Sequence, residues 1–123
     1  MRLWRRQARR VQSVTSTIWT ESTRDELRAA LPESVVIIPT GATEQHGGPH
    51  LVTGHDTFPV VEVVQRAAVL ATGSFVIAPA LPFGSSQHHL PFGATLSLST
   101  GTYYRVVREL VESEVAAGAE SSC

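Results

Sequence analysis

Two short apolar runs with an amphipathic stretch between them constrain this chain more than any other feature. Val35–Pro39 (VVIIP) and Phe75–Pro79 (FVIAP) are continuous and rich in β-branched residues. That is the pattern of strands buried on both faces of a parallel sheet. Between them Val60, Val63, Val64, Ala67, Ala68 and Ala71 recur at helical spacing. Pro59 suits a first helical turn, where its missing N–H has no partner to lose. Gly73 is a natural stop. Strand, loop, helix and strand make a βαβ unit, for which a right-handed crossover is expected. The fold class read from this pattern is α/β, with the two strands parallel and adjacent.

The loop between the first strand and the helix carries the chemistry. Gly41–Asp56 reads GATEQHGGPHLVTGHD and holds three of the five histidines, His46, His50 and His55, with Glu44 and Asp56. It follows the carboxyl end of a strand, where open α/β sheets place their sites. Carboxylate oxygen and imidazole nitrogen together suit zinc, manganese or iron. Glu44 and His46 are two residues apart, roughly 6.6 Å between Cα atoms on an extended backbone. At that spacing they serve two neighbouring ions more easily than one, with Asp56 returned by the glycine-rich excursion as a candidate bridge. Paired ions roughly 3.5–4 Å apart are common in hydrolases.

A second stretch, Leu81–Ala94 (LPFGSSQHHLPFGA), holds the other two histidines, His88 and His89. His89 reads equally as a pocket residue or as a hydrogen-bonding partner within its own loop, and His88 as solvent-facing. Gly84, Ser85 and Ser86 weakly resemble an anion-binding loop. Thr95–Ser99 alternates apolar and polar residues, a strand with one exposed face. Thr100 or Thr102 caps a helix to about Ala117, with Tyr103, Val106, Val107, Leu110, Val111 and Val115 as its buried stripe and Gly118 as its end. Upstream, Thr23 and Glu26 have capping-box spacing and open a short helix through Ala30. Trp19 reads as a core anchor.

Composition narrows the function classes. At 123 residues, with 42% hydrophobic and 17% charged residues, the chain is one globular domain at most. A net charge of −1 argues against a nucleic-acid binder. One cysteine, Cys123, excludes an intrachain disulfide framework. No apolar run approaches the roughly 18 residues of a membrane span, so no membrane partner is expected and the location expected is cytoplasmic. Arg2, Arg5, Arg6, Arg9 and Arg10 precede the first acid, Glu21. Residues 1–18 therefore read as a flexible basic arm; the composition also fits a transit peptide, but no h-region or cleavage site follows.

The two stretches together resemble the creatininase family of metal-dependent hydrolases of C–N bonds. Thr40-Gly41-Ala42-Thr43-Glu44-Gln45-His46-Gly47, Pro49-His50-Leu51 and Gly54-His55-Asp56 are similar to its first signature. Gly84, Ser86, His89 and Phe92 are similar to its second, with Gly93-Ala94-Thr95 where the family has Pro-Gly-Thr. Gly48 is an addition to the usual HGPHL and lies between two proposed ligands, where it threatens the register of Asp56. The resemblance implies a three-layer fold with a mainly parallel sheet, and metal ligation by Glu44, His46 and Asp56 in a dinuclear centre of zinc, manganese or iron. His50, Ser86 and His89 are then second-layer or pocket residues, and no catalytic residue is assigned. It implies a small-molecule amide substrate, cyclic or linear, cleaved by a metal-activated water, and a homo-oligomer for the full-length fold. Family members are about twice this length, and further ligands follow the region matched here. The expectation is therefore that residues 19–123 are the N-terminal half of such a domain, truncated before the site is complete. The alternative to an active enzyme is a catalytically incompetent fragment that binds at most one ion weakly or pairs with another chain.

Overall fold

The structure, a computed structural model, describes residues 15–119. Three strands and three longer helices alternate: β1 (Thr15–Ile18), α1 (Arg24–Ala30), β2 (Val35–Ile37), α2 (Thr57–Leu70), β3 (Ser74–Ile77) and α3 (Thr100–Ala117). Single 3₁₀ segments sit at Trp19–Glu21, Leu31–Glu33 and Gln87–Phe92. The fold is α/β, as the apolar patterning indicates.

The sheet has the order β1-β3-β2 and is parallel throughout, with Val35 opposite Phe75, Val36 opposite Val76 and Ile37 opposite Ile77. Successive side chains of a strand point to opposite faces. Val76 and Ile77 are both buried, so β3 is covered on both sides. Helix α2 packs against β1 and β3, with Ala68 buried. Both predicted strands end two residues early, before Pro39 and Pro79, each of which lacks an N–H for the ladder. Pairing resumes beyond them: Leu81 N–H donates to the Pro39 carbonyl at 2.8 Å, and Gly41 N–H donates to the Leu81 carbonyl at 3.0 Å. This extension brings the two functional stretches side by side.

Several expectations need correction. Thr15–Ile18 is not part of an arm but a sheet strand, hydrogen-bonded in register with Ser74–Ile77. Its outer residues are exposed and polar, so no apolar run advertises it. The remaining arm residues, 1–14, and residues 120–123 with Cys123 lie outside the described residues. Thr95–Ser99 forms no strand. Leu96 bridges Thr43 and Ser97 bridges Gly84, two different partners, and Leu96 is 58% exposed. The cap of α3 is Ser99, whose hydroxyl accepts the Thr102 N–H. The stripe on α3 is covered only near its start. Tyr103, Val106 and Val107 are half-buried, whereas Leu110, Val111 and Val115 are exposed. Trp19 is half-buried and lines two grooves rather than anchoring a core. One of these grooves, 420 Å³ in volume, runs between α3 and the Ala78–Leu81 segment.

Candidate metal centre

Glu44 and His46 lie on the loop that leaves β2, and Asp56 is the residue preceding the first turn of α2. Three backbone devices bring them together. Glu44 N–H donates to the Thr53 carbonyl at 3.1 Å, closing the excursion on itself. Thr57 N–H and Phe58 N–H both donate to the Gly54 carbonyl, which turns the chain into α2 beside Asp56. Gly41 lies flat against the start of α2: a Cβ there would meet Thr57 Cα at 2.7 Å. Only glycine allows that approach.

The result is a cluster in which Glu44, His46 and Asp56 each offer a ligand atom, all within 4.8 Å of one another. His46 is the best defined. Its Nδ1 lies 2.9 Å from the carbonyl oxygen of Glu44, which can only accept, so Nδ1 carries a proton. Nε2 lies 3.0 Å from Asp56 Oδ1. In a neutral ring these two atoms would be facing acceptors, so a cation belongs between them. Without a metal that cation is a proton. The Asp56 carboxylate, and after it the Glu44 carbonyl, accordingly push the His46 pKa above its ordinary value. A metal ion answers the same geometry, because a ligating histidine ordinarily donates its other N–H to a carbonyl or carboxylate. Two carboxylates and one imidazole also match the donor preferences of zinc, manganese and iron. The residues present therefore fit a divalent ion.

The other candidates divide. His89 reaches the cluster: its Nε2 lies 3.6 Å from Glu44 Oε1 and its Nδ1 lies 2.9 Å from Gln45 Nε2. His50 is exposed, and its ring lies over Gly48, where a Cβ would come within 2.5 Å of it. The additional glycine is thus accommodated beneath an imidazole, and Asp56 keeps its place. Ser86 is 3% exposed and belongs to the framework: its N–H donates to Ser97 Oγ and its carbonyl accepts the His89 N–H. That use takes the Ser86 N–H away from any anion. Among the described residues, no hydrogen bond joins His50 or Ser86 to the cluster. His55 is exposed and sets its ring edge-on to His46, with centroids 5.2 Å apart.

Gln45 and Thr95 are the residues that sequence reasoning passed over. Gln45 N–H donates to Thr95 Oγ1 at 3.2 Å, and Thr43 Oγ1 donates to the Pro82 carbonyl at 2.8 Å. These bonds stitch the first stretch to the second. Both residues sit inside the motifs, but an amide and a hydroxyl carry no metal-ligand signal.

A parallel α/β sheet that presents a carboxylate–imidazole cluster beyond its strand ends defines the class: an α/β protein with a candidate metal centre. The chain belongs to the creatininase family, whose model, described as creatinine amidohydrolase, matches residues 20–123. A mycofactocin precursor peptide peptidase from Mycolicibacterium smegmatis is 36% identical over 83 residues, covering 64% of this chain and 32% of the relative. A 3-dehydro-scyllo-inosose hydrolase from Thermotoga maritima is 34% identical over 83 residues, covering 67% of this chain and 26% of the relative. Among solved structures, a tryptophan-to-alanine mutant of creatininase superposes with a TM-score of 0.76 at 27% identity, covering 86% of this chain and 43% of that one. A glutamate-to-glutamine mutant creatininase of the Zn–Zn type superposes at 0.72 with 26% identity, covering 85% and 42%. The chain thus spans a quarter to a third of the length of these curated relatives and about two fifths of the creatininase structures.

Proposed function

We propose that this chain carries the first half of the metal centre of a creatininase-type amidohydrolase, with Glu44, His46 and Asp56 as ligands. The substrate class is a small cyclic or linear amide, or a peptide bond as in the mycobacterial relatives. The observation that carries this reading is the convergence of the three ligand atoms, with His46 Nε2 and Asp56 Oδ1 placed acceptor to acceptor. A bound divalent ion would activate water and polarise the scissile carbonyl. This chain's own residues hold the site. Asp56, at the start of α2, fixes the His46 ring from one side and the Glu44 carbonyl fixes it from the other. Glu44, with its side chain 15% exposed, brings a largely desolvated negative charge to the same point.

A second reading is supported by the share of the family fold that the chain spans. Three ligands hold one ion with positions left open to other groups. On this reading the chain binds a single ion and turns over no substrate unless a second polypeptide segment completes the site. Metal stoichiometry and turnover separate the two. Two ions per chain, with hydrolysis of a formamide or lactam, support the enzyme. One ion, without hydrolysis, supports the half-site, and none counts against both.

A further inference from the structure

Gln45 and His89 are joined in a way that the metal ligands alone do not require. We propose that they form an oriented relay that positions the Glu44 carboxylate, which makes both of them positioning residues for the metal centre. The proposal rests on the reading of Glu44 as a ligand.

The direction of the relay is set from one end. Gly47 N–H donates to Gln45 Oε1 at 2.7 Å, which pins the oxygen of the side-chain amide. The amide nitrogen therefore faces His89, where it lies 2.9 Å from Nδ1. An amide nitrogen has only protons to offer, so Nδ1 accepts. The proton of the neutral His89 ring is then on Nε2, and Nε2 faces Glu44 Oε1 at 3.6 Å. That separation is longer than a hydrogen bond. It leaves the ring nitrogen beside a carboxylate oxygen, and a shift of a few tenths of an ångström would bring the two within hydrogen-bond distance.

The surroundings hold this geometry. The side chains of His89 and Glu44 are 27% and 15% exposed, so water screens the contact only in part. His89 N–H donates to the carbonyl of buried Ser86, which fixes the base of the ring. His88 packs on the His89 ring with centroids 4.2 Å apart. Gln45 is in turn held through its backbone by Thr95. The pose of Glu44 on the first stretch thus depends on the Gln87–Phe92 segment of the second. A histidine protonated on Nδ1 would present a bare nitrogen to the carboxylate and repel it.

Two measurements test the relay. Long-range ¹H–¹⁵N spectra of the metal-free chain should show His89 wholly as the Nε2–H tautomer, and in Gln45→Met the Nε2–H population should fall, with the Nδ1–H form becoming detectable. In zinc titrations Gln45→Met and His89→Leu should each weaken binding by about 10–100-fold, the usual loss when the partner of a ligand is removed. His89→Gln, which can place an amide N–H near the position of Nε2, should recover most of the affinity. An Nδ1–H tautomer in the unsubstituted chain overturns the proposal, as does unchanged zinc affinity in both Gln45→Met and His89→Leu. Should the unsubstituted chain take up no zinc, the metal reading falls, and the relay then stands or falls on the tautomer alone. Should His89→Leu fail to fold, Gln45→Met and the tautomer decide.

Discussion

His46 is the residue at which a proton and the proposed metal would compete, and the sign of that competition follows from its surroundings. Its pKa is raised above the ordinary 6.5 by Asp56 first and by the Glu44 carbonyl second. A raised value means that the metal-free fold is stabilised by the protonated pair below the unfolded value. That contribution is lost as pH rises through the folded value. Zinc affinity should run the other way, falling as pH drops through the His46 pKa, with proton release on binding. Calorimetry in buffers of different ionisation enthalpy measures that release. Asp56→Asn should lower the His46 pKa toward 6.5, read by NMR titration. The backbone makes a second prediction at this scale. Ala94 has φ 48, in the left-handed region, at the position where the family pattern has glycine. Ala94→Gly should stabilise the fold by about 1 kcal/mol, since that region costs a residue with a Cβ roughly 1–2 kcal/mol. Chemical denaturation checks it. The convergence of Glu44, His46 and Asp56 was legible in the sequence because the three combine donor chemistry with a family motif. The Gln45–His89 bond was not, because it joins residues 44 positions apart through groups of no distinctive type.

Elements were legible where the local pattern and the tertiary setting agree. The Thr23 capping box forms as its spacing indicates: the Thr23 hydroxyl accepts from Glu26 N–H, and Glu26 accepts from Thr23 N–H at 2.7 Å. Thr23→Ala should cost about 1 kcal/mol, measured by thermal or urea unfolding. β3 announced itself because two-sided burial demands consecutive apolar residues; β2 carries the same apolar run but is an edge strand with Val35 exposed, so the expectation of burial on both faces fails there. β1 did not announce itself: Thr15-Ser16-Thr17-Ile18 is largely polar, and backbone pairing with β3 defines it. Thr95–Ser99 misled for the converse reason. Its alternation is real, but its polar atoms serve the site loop and cap α3, with Thr95 bonded to Gln45 and Ser99 to Thr102.

At the scale of the whole molecule, the open surface lies along β2 and α3. Val35, Leu110, Val111 and Val115 are all exposed, and β2 is an edge of the sheet. A groove of 680 Å³ runs between Val35–Ile38 and Val111–Val115. An uncovered β-branched edge is a template for pairing with another chain. The purified chain should therefore associate in a concentration-dependent way in size-exclusion chromatography. Val35→Lys combined with Val111→Glu should shift it toward monomer. A monodisperse monomer of the unsubstituted chain melting above about 60 °C would contradict this. Among the described residues, no helix is long and apolar enough to cross a membrane. Everything proposed for the site depends on Glu44, His46 and Asp56 holding one divalent centre. Zinc titration of the purified chain by calorimetry, repeated on a Glu44→Ala/His46→Ala/Asp56→Ala triple variant, tests it most directly. Saturable binding of at least one ion per chain is expected, and it should disappear in the variant. Binding that survives unchanged in the variant, or no binding by the unsubstituted chain, would contradict it.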